Sequence, residues 1–171
     1  VQSVSDLPLQ LDTSNIDALA AALRIYNGRP LINSVNGGAA SMAAVFPLAK
    51  KYGAAVVALT LDENGIPETA AGRIAIAEKI LKTARTYGLS EKDLIVDALA
   101  MTVSTGADNA NIALETLDYV RHHLHMNTVL GVSNISFGLP HREKINAAFF
   151  TLAMGRGLSA GIVNPGDTTM M

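Results

Sequence analysis

Val-Leu-Gly-Val-Ser-Asn-Ile-Ser-Phe-Gly-Leu-Pro-His-Arg, residues 129–142, is the stretch on which the reading of this chain turns. Its first four residues, Val129 to Val132, form an apolar run expected to be a buried strand. The run stops at two polar side chains, Ser133 and Asn134. A Gly-Pro loop, Gly138 to Pro140, then delivers His141 and Arg142 to the start of a helix. Open α/β sheets and α/β barrels hold their ligands at the carboxyl ends of strands. A strand ending in Ser-Asn, one loop away from an arginine, therefore reads as one wall of a site for a polar ligand. A cation in a first helical turn is mildly disfavoured by the helix dipole, which adds weight to Arg142.

The same unit recurs on both sides of this stretch. Apolar runs lie at Leu9–Leu11, Leu31–Ile32, Val56–Leu59, Leu94–Val96, Val129–Val132 and Ala160–Val163. Their spacing is too wide for hairpins and suits strand–helix units. The runs are unbroken rather than alternating, as parallel strands covered on both faces should be. Between them, apolar residues recur at helical spacing. The stripes are Ile16, Leu19, Ala20, Leu23; Met42, Val45, Phe46, Ala49; Ile74, Ala77, Leu81, Ala84; Leu114, Leu117, Val120, Leu124; and Ile145, Ala148, Phe149, Leu152. Glycines at 28, 53 and 88 close the first three, as helix ends favour. The expectation is six strands and five helices in one domain without linkers, with the start of the third helix uncertain around Ala71-Gly72.

Composition narrows the function. Apolar residues make up 49% of the 171 residues and charged ones 16%, which is enough for one sizeable core. Thirteen basic and fifteen acidic residues leave a net charge of −2, which argues against nucleic acid or an anionic membrane as the main partner. There is no cysteine, hence no disulfide, thiolate metal site or thiol nucleophile. No apolar run approaches the ~18–20 residues that span a bilayer, and no signal peptide is visible. A cytoplasmic location is expected. The chain opens Val1-Gln2-Ser3-Val4 without an initiator methionine and soon reaches its first strand, so a processed or excised piece of a longer protein is expected.

Every run stops at a polar residue: Asp12, Asn33, Thr60, Asp97, Ser133 with Asn134, and Asn164. In a parallel sheet these ends share one face. Singly, each has a plain alternative. Asp12, with Thr13 and Ser14, could cap the first helix, and Asn33 and Asn36 could be turn formers. Together they favour a site. Standard nucleotide and nucleophile signatures are absent: there is no G-x-G-x-x-G, no G-x-x-x-x-G-K-[ST] and no G-x-S-x-G. Gly37-Gly38 reads as a flexible turn. His122, His123 and His125 do not fall on one helix face and lack a convergent carboxylate, so no metal site is expected. Asp62, Glu63 and Asn64 read as a solvated loop.

The segments Leu-Gln-Leu-Asp-Thr-Ser (9–14), Leu-Ile-Asn-Ser-Val-Asn (31–36), Ala-Leu-Thr-Leu-Asp-Glu-Asn-Gly-Ile-Pro (58–67), Leu-Ile-Val-Asp-Ala-Leu (94–99) and Gly-Val-Ser-Asn-Ile-Ser-Phe-Gly-Leu-Pro (131–140) resemble the pterin-binding methyltransferases. These carry a methyl group from methyltetrahydrofolate to a corrinoid. The likeness is greatest to the folate-binding domain of cobalamin-dependent methionine synthase. It covers nearly the whole chain, and residues 131–140 are its most specific part. The resemblance implies an α/β fold of the (β/α)8 TIM-barrel type, here a partial barrel of six parallel strands. The first run resembles the family's third strand, so the chain would hold strands three to eight and lack one and two. It also stops before a full final helix.

The resemblance also implies roles. Asp12, Asn33 and Asp97 correspond to the pterin-binding polar set. Asn134, the implied catalytic residue, corresponds to the side chain at pterin N5, with Ser133 and Arg142 beside it. The substrate would be methyltetrahydrofolate, and the acceptor cob(I)alamin carried by another domain or protein. The chemistry suits these residues, because a pterin's pyrimidine edge offers adjacent N–H donors and a carboxylate accepts two side by side. Dihydropteroate synthase, which shares barrel and pocket, is the rival enzyme. Its usual lysine and later arginine-histidine pair have no counterpart in Gly-Val-Ser-Asn (131–134) or Gly-Ile-Val-Asn-Pro (161–165). A non-catalytic folate-binding or assembly module is the other alternative. An incomplete barrel is expected to self-associate or to contact the missing strands.

Overall fold

The six apolar runs pair side by side in the order in which they occur. In the computed structural model, which describes residues 1–166 and Thr169, the strands are β1 (Gln10–Asp12), β2 (Leu31–Asn36), β3 (Ala55–Leu59), β4 (Leu94–Asp97), β5 (Asn127–Gly131) and β6 (Ala160–Ile162). They form one sheet ordered β1-β2-β3-β4-β5-β6, and every pairing is parallel. A doubly wound sheet would reverse its order at a switch point. Here each strand neighbours the next throughout, which is the winding of an α/β barrel. The fold is thus a half-barrel of six parallel strands with β1 and β6 at its edges.

Five helices connect the strands: α1 (Ile16–Ile25), α2 (Ala39–Tyr52), α3 (Ala70–Thr86), α4 (Asn109–His122) and α5 (Arg142–Gly155). Their apolar faces cover the sheet. Leu19 and Leu23 of α1, Met42, Val45, Phe46 and Ala49 of α2, and Ile76, Ala77, Ile80, Leu81 and Ala84 of α3 bury against Ile32, Val56, Ala58, Leu94 and Val96. A second cluster gathers Ala113 and Leu117 of α4 and Phe149 and Ala153 of α5 around Leu130, Val132 and Ile135. Among the described residues, no helix is long and apolar enough to cross a membrane.

Three local readings change. The third helix begins at Ala70, capped by Thr69, whose Oγ1 accepts from the Gly72 amide at 3.1 Å. Gly72 sits inside its first turn because a Cβ there would lie 2.7 Å from Cβ of Pro67. Strand β5 ends at Gly131, not Val132, and Val132–Ser136 winds into a 3₁₀ helix. The buried face of α5 is Asn146, Phe149 and Ala153, while Ala148 and Leu152, expected to be core, are exposed. The 3₁₀ helix and α4 set that face, and at the edge of the sheet nothing among the described residues covers the other side.

Candidate functional site

Parallel pairing puts the carboxyl ends of all six strands on one face, and the register sets their heights. Asp12 of β1 sits opposite Asn33 of β2, and the Asn33 Nδ2 donates to Asp12 Oδ2 at 3.2 Å. Strand β2 runs past Asn33 to Asn36, with a register shift against β3 between Asn33 and Val35. Asn33 is therefore a strand residue, not a turn former. The capping alternative for Asp12 is also answered. Asn15 caps α1, its Oδ1 accepting from the Ala18 amide at 3.0 Å, and Thr13 Oγ1 accepts from the Asn15 amide. Asp12 is left to the mouth of the sheet. A cavity of about 380 Å³ opens there, lined by Asp12, Thr13, Asn33, Ser34, Asn36 and Ser41 among others.

Asp97 closes β4, at the height of Leu59 on β3 and Val129 on β5. It is only 9% exposed. Its Oδ1 accepts from the Leu99 amide at 2.8 Å. Its Oδ2 accepts no hydrogen bond among the described residues, and none of their fully buried side-chain oxygens lacks a partner, so Oδ2 is reached from solvent. Burial pushes the carboxyl up to about 6, and the Leu99 amide and the Arg73 guanidinium pull against that rise. A carboxylate with one anchored and one open oxygen at a strand mouth can accept a pair of N–H donors from a ligand.

Arg73 escaped the sequence reading. It is 1% exposed on the inner face of α3. Its Nε donates to the Pro67 carbonyl at 3.0 Å, and its Nη1 donates to the Ala98 and Leu99 carbonyls at 2.8 and 2.7 Å. Burial lowers its pKa, with Asp97 opposing, yet an arginine keeps its charge. The available signal was a single charge inside the apolar series Ile76, Ala77, Ile80, Leu81, Ala84, at the spacing that places it on the same face.

Ser133 and Asn134 lie in the 3₁₀ helix above β5, both exposed. Ser133 contributes through its backbone, since its carbonyl accepts from Arg142 Nη2 at 2.8 Å. Arg142 also donates from Nε to Ser136 Oγ at 3.0 Å and lies over the Phe137 ring at 5.8 Å. It thus braces the loop that carries Asn134. The Asn134 carboxamide forms no hydrogen bond among the described residues, and its Nδ2 would lie 3.1 Å from a Cβ placed on Gly131. It is a free donor–acceptor pair held close to the strand end.

The remaining polar positions have structural duties. Thr60 is wholly buried, and its Oγ1 donates to the Asp97 carbonyl at 2.9 Å, tying β3 to β4. Asn164 Oδ1 accepts from the Gly166 amide. Asp62 Oδ1 accepts from the Asn64 amide in a tight turn of the β3–α3 loop. His122 lies 3.4 Å from Asp118, and His123 stacks on Tyr119. Gly37 is packed rather than free: a Cβ there would lie 2.8 Å from an Ile76 methyl.

Comparison with known proteins places this geometry in a lineage. Residues 1–164 match the family described as pterin binding enzyme. The chain is 35% identical over 175 residues to a methionine synthase of Mycobacterium leprae (strain TN), and 36% over 173 residues to that of Mycobacterium tuberculosis (strain ATCC 25618 / H37Rv). These matches cover 95% and 94% of the chain but 14% of each relative. It is 29% identical over 176 residues to a methylcorrinoid:tetrahydrofolate methyltransferase of Eubacterium limosum, covering all of the chain and 64% of that protein. Among solved structures, the dihydropteroate synthases of Xanthomonas albilineans and Yersinia pestis superpose with TM-scores of 0.72 each, at 20% and 17% identity. Each covers 98% of the chain and, respectively, 63% and 69% of the other protein, a likeness of fold alone. With the family match spanning almost its whole length, this chain belongs to the pterin-binding enzymes.

Proposed function

We propose that this chain binds methyltetrahydrofolate on the carboxyl face of its sheet and passes the N5-methyl group to cob(I)alamin brought by another domain or protein. Its six strands then take the places of strands three to eight of an eight-stranded barrel. The name of one relative, a methylcorrinoid:tetrahydrofolate methyltransferase, supports methyl exchange between a corrinoid and a folate. The observation that carries the reading is Asp97, a nearly buried carboxylate with one oxygen anchored by Leu99 and the other open. That is the acceptor a pyrimidine edge with adjacent N–H donors requires. Asp12 and Asn33, already hydrogen-bonded to each other, meet the remaining edge groups.

The residues then divide the work. Asp97, Asp12 and Asn33 fix the ring, so that the N5-methyl faces the open side of the sheet. Asn134, held by the loop that Arg142 braces, accepts a hydrogen bond from N5 once N5 is protonated. Transfer breaks the carbon–nitrogen bond, and the electron pair stays on N5. A protonated N5 leaves as a neutral amine, so a group that favours the protonated form lowers the barrier. An amide cannot supply the proton, and water at this exposed position is the donor. When bound, the corrinoid supplies the cobalt nucleophile that accepts the methyl group.

Incubating the chain with 5-methyltetrahydrofolate and reduced cobalamin, while following the cobalt absorbance, tests the proposal. Slow methyl transfer that falls further in the Asp97→Asn and Asn134→Ala variants is expected. Tight folate binding with no transfer, even with a corrinoid-binding protein present, would make it a binding module. No binding of 5-methyltetrahydrofolate would end the reading.

A further inference from the structure

We infer that Arg73 is a positioning residue of the pterin site: from the buried face of α3 it holds the turn after β4 in the shape that presents the second oxygen of Asp97 to the ligand. The inference rests on the proposed role of Asp97 and goes beyond it. The geometry forms a chain of contacts. Arg73 Nη1 grips the Ala98 and Leu99 carbonyls, and its Nε grips Pro67 in the preceding loop. Leu99 has φ +59°, a left-handed conformation that a leucine adopts only when its surroundings impose it. The Ala98 carbonyl and the Leu99 N–H share one planar peptide and point in opposite directions, so the grip on that carbonyl aims the Leu99 amide at Asp97 Oδ1, 2.8 Å away. The amide fixes one oxygen of the carboxylate, and the other is thereby left facing outward. Thr60 holds the Asp97 carbonyl from the other side.

Charge adds to geometry. Arg73 is the charged side chain that acts on Asp97, and it favours the ionised form. Strands β3 and β5, which flank β4, carry no charged residue, and neither Asp12 nor Asp62 across the mouth contributes. A lysine at position 73 would keep the charge. Its ammonium could not serve three carbonyls in the planar fork of a guanidinium.

The test is calorimetric titration with 5-methyltetrahydrofolate from about pH 5 to 8, on the wild type and on Arg73→Gln, Arg73→Lys and Asp97→Asn. Wild-type affinity should fall off below about pH 6, where Asp97 takes up a proton. Arg73→Gln should weaken binding at pH 7 about tenfold and move the fall-off upward by about one pH unit, as loss of a nearby opposite charge does. Arg73→Lys should return the fall-off to its wild-type pH while regaining only part of the affinity. Asp97→Asn should bind weakly with no fall-off. A folded Arg73→Gln with wild-type affinity and fall-off, beside a weakened Asp97→Asn, overturns this inference and leaves the pterin reading standing. Wild-type affinity in Asp97→Asn overturns both. Failure of both Arg73 variants to fold would make Arg73 an anchor of the fold and also overturn it.

Discussion

Burying a carboxylate at the end of β4 works against stability. The Asp97 carboxyl titrates near 6 in the folded chain against an ordinary 3.8, so the native state holds a proton that the unfolded chain has released. The contribution of this group is therefore full below about pH 4 and is lost as pH rises through 6, a swing of about 3 kcal/mol. Asp97→Asn should flatten that decline in urea unfolding followed across pH. It should also weaken 5-methyltetrahydrofolate binding about tenfold or more, since a charge-assisted pair contributes about 1.5–3 kcal/mol. Undiminished affinity by calorimetry would remove Asp97 from the pocket. Asn134 presents the opposite case: exposed and without a hydrogen bond among the described residues, it carries little stability. Asn134→Ala should change unfolding free energy by less than about 0.5 kcal/mol. Methyl transfer should nevertheless slow about 10²–10³-fold, the usual loss for one placed polar group. Undiminished transfer in the Asn134→Ala variant would refute the role at N5.

At the level of elements, the 3₁₀ helix after β5 depends on α5 for its position. Ser136 Oγ donates to Asn146 Oδ1 at 2.7 Å and accepts from Arg142 Nε, and both Ser136 and Asn146 are buried. Ser136→Ala leaves a buried amide oxygen without its donor, which costs about 1–3 kcal/mol. Thermal unfolding should show that loss. Because the same loop carries Asn134, transfer rate should fall further than ligand affinity. Equal rates in wild type and variant would mean that the loop holds its shape without this network. At the other end of the sheet, Asn15 relieves Asp12 of capping, so the polar cluster at 12–15 both caps a helix and lines the cavity at the strand ends.

The whole molecule is an open sheet. An eight-stranded barrel wound to closure would set two further strands between β1 and β6; here these two edges are not paired with each other, and all of β6 is exposed. Each edge offers a row of free N–H and C=O groups, which seek partners. Leu152 and Met154 of α5 and Ile162 of β6 are 58%, 51% and 46% exposed. This 171-residue chain by itself is expected to self-associate and to show little transferase activity while its two edges stay open. Gel filtration with light scattering, paired with the turnover assay, checks both statements. A monodisperse, fully active monomer would mean that the open sheet is self-sufficient.

Much of this could be read from local pattern. Unbroken apolar runs, helical stripes and the glycines that end them depend on backbone geometry within a few residues, so β1 to β6 and four of the five helix faces were legible. So was the meeting of Asp12 and Asn33, because parallel strands end on one face. Other features were settled by residues far apart in the chain. Thr60 and Asp97 both end apolar runs, yet the register of β3 on β4 buries one against the backbone of the other. The α5 stripe shifted because its covering partners are a 3₁₀ turn and α4, which no periodicity within α5 records. Arg73 is the sharpest case. Its neighbours in sequence mark it as a charge in a core stripe, and only the packing of α3 on β4 supplies the Ala98 and Leu99 carbonyls that make its burial tolerable.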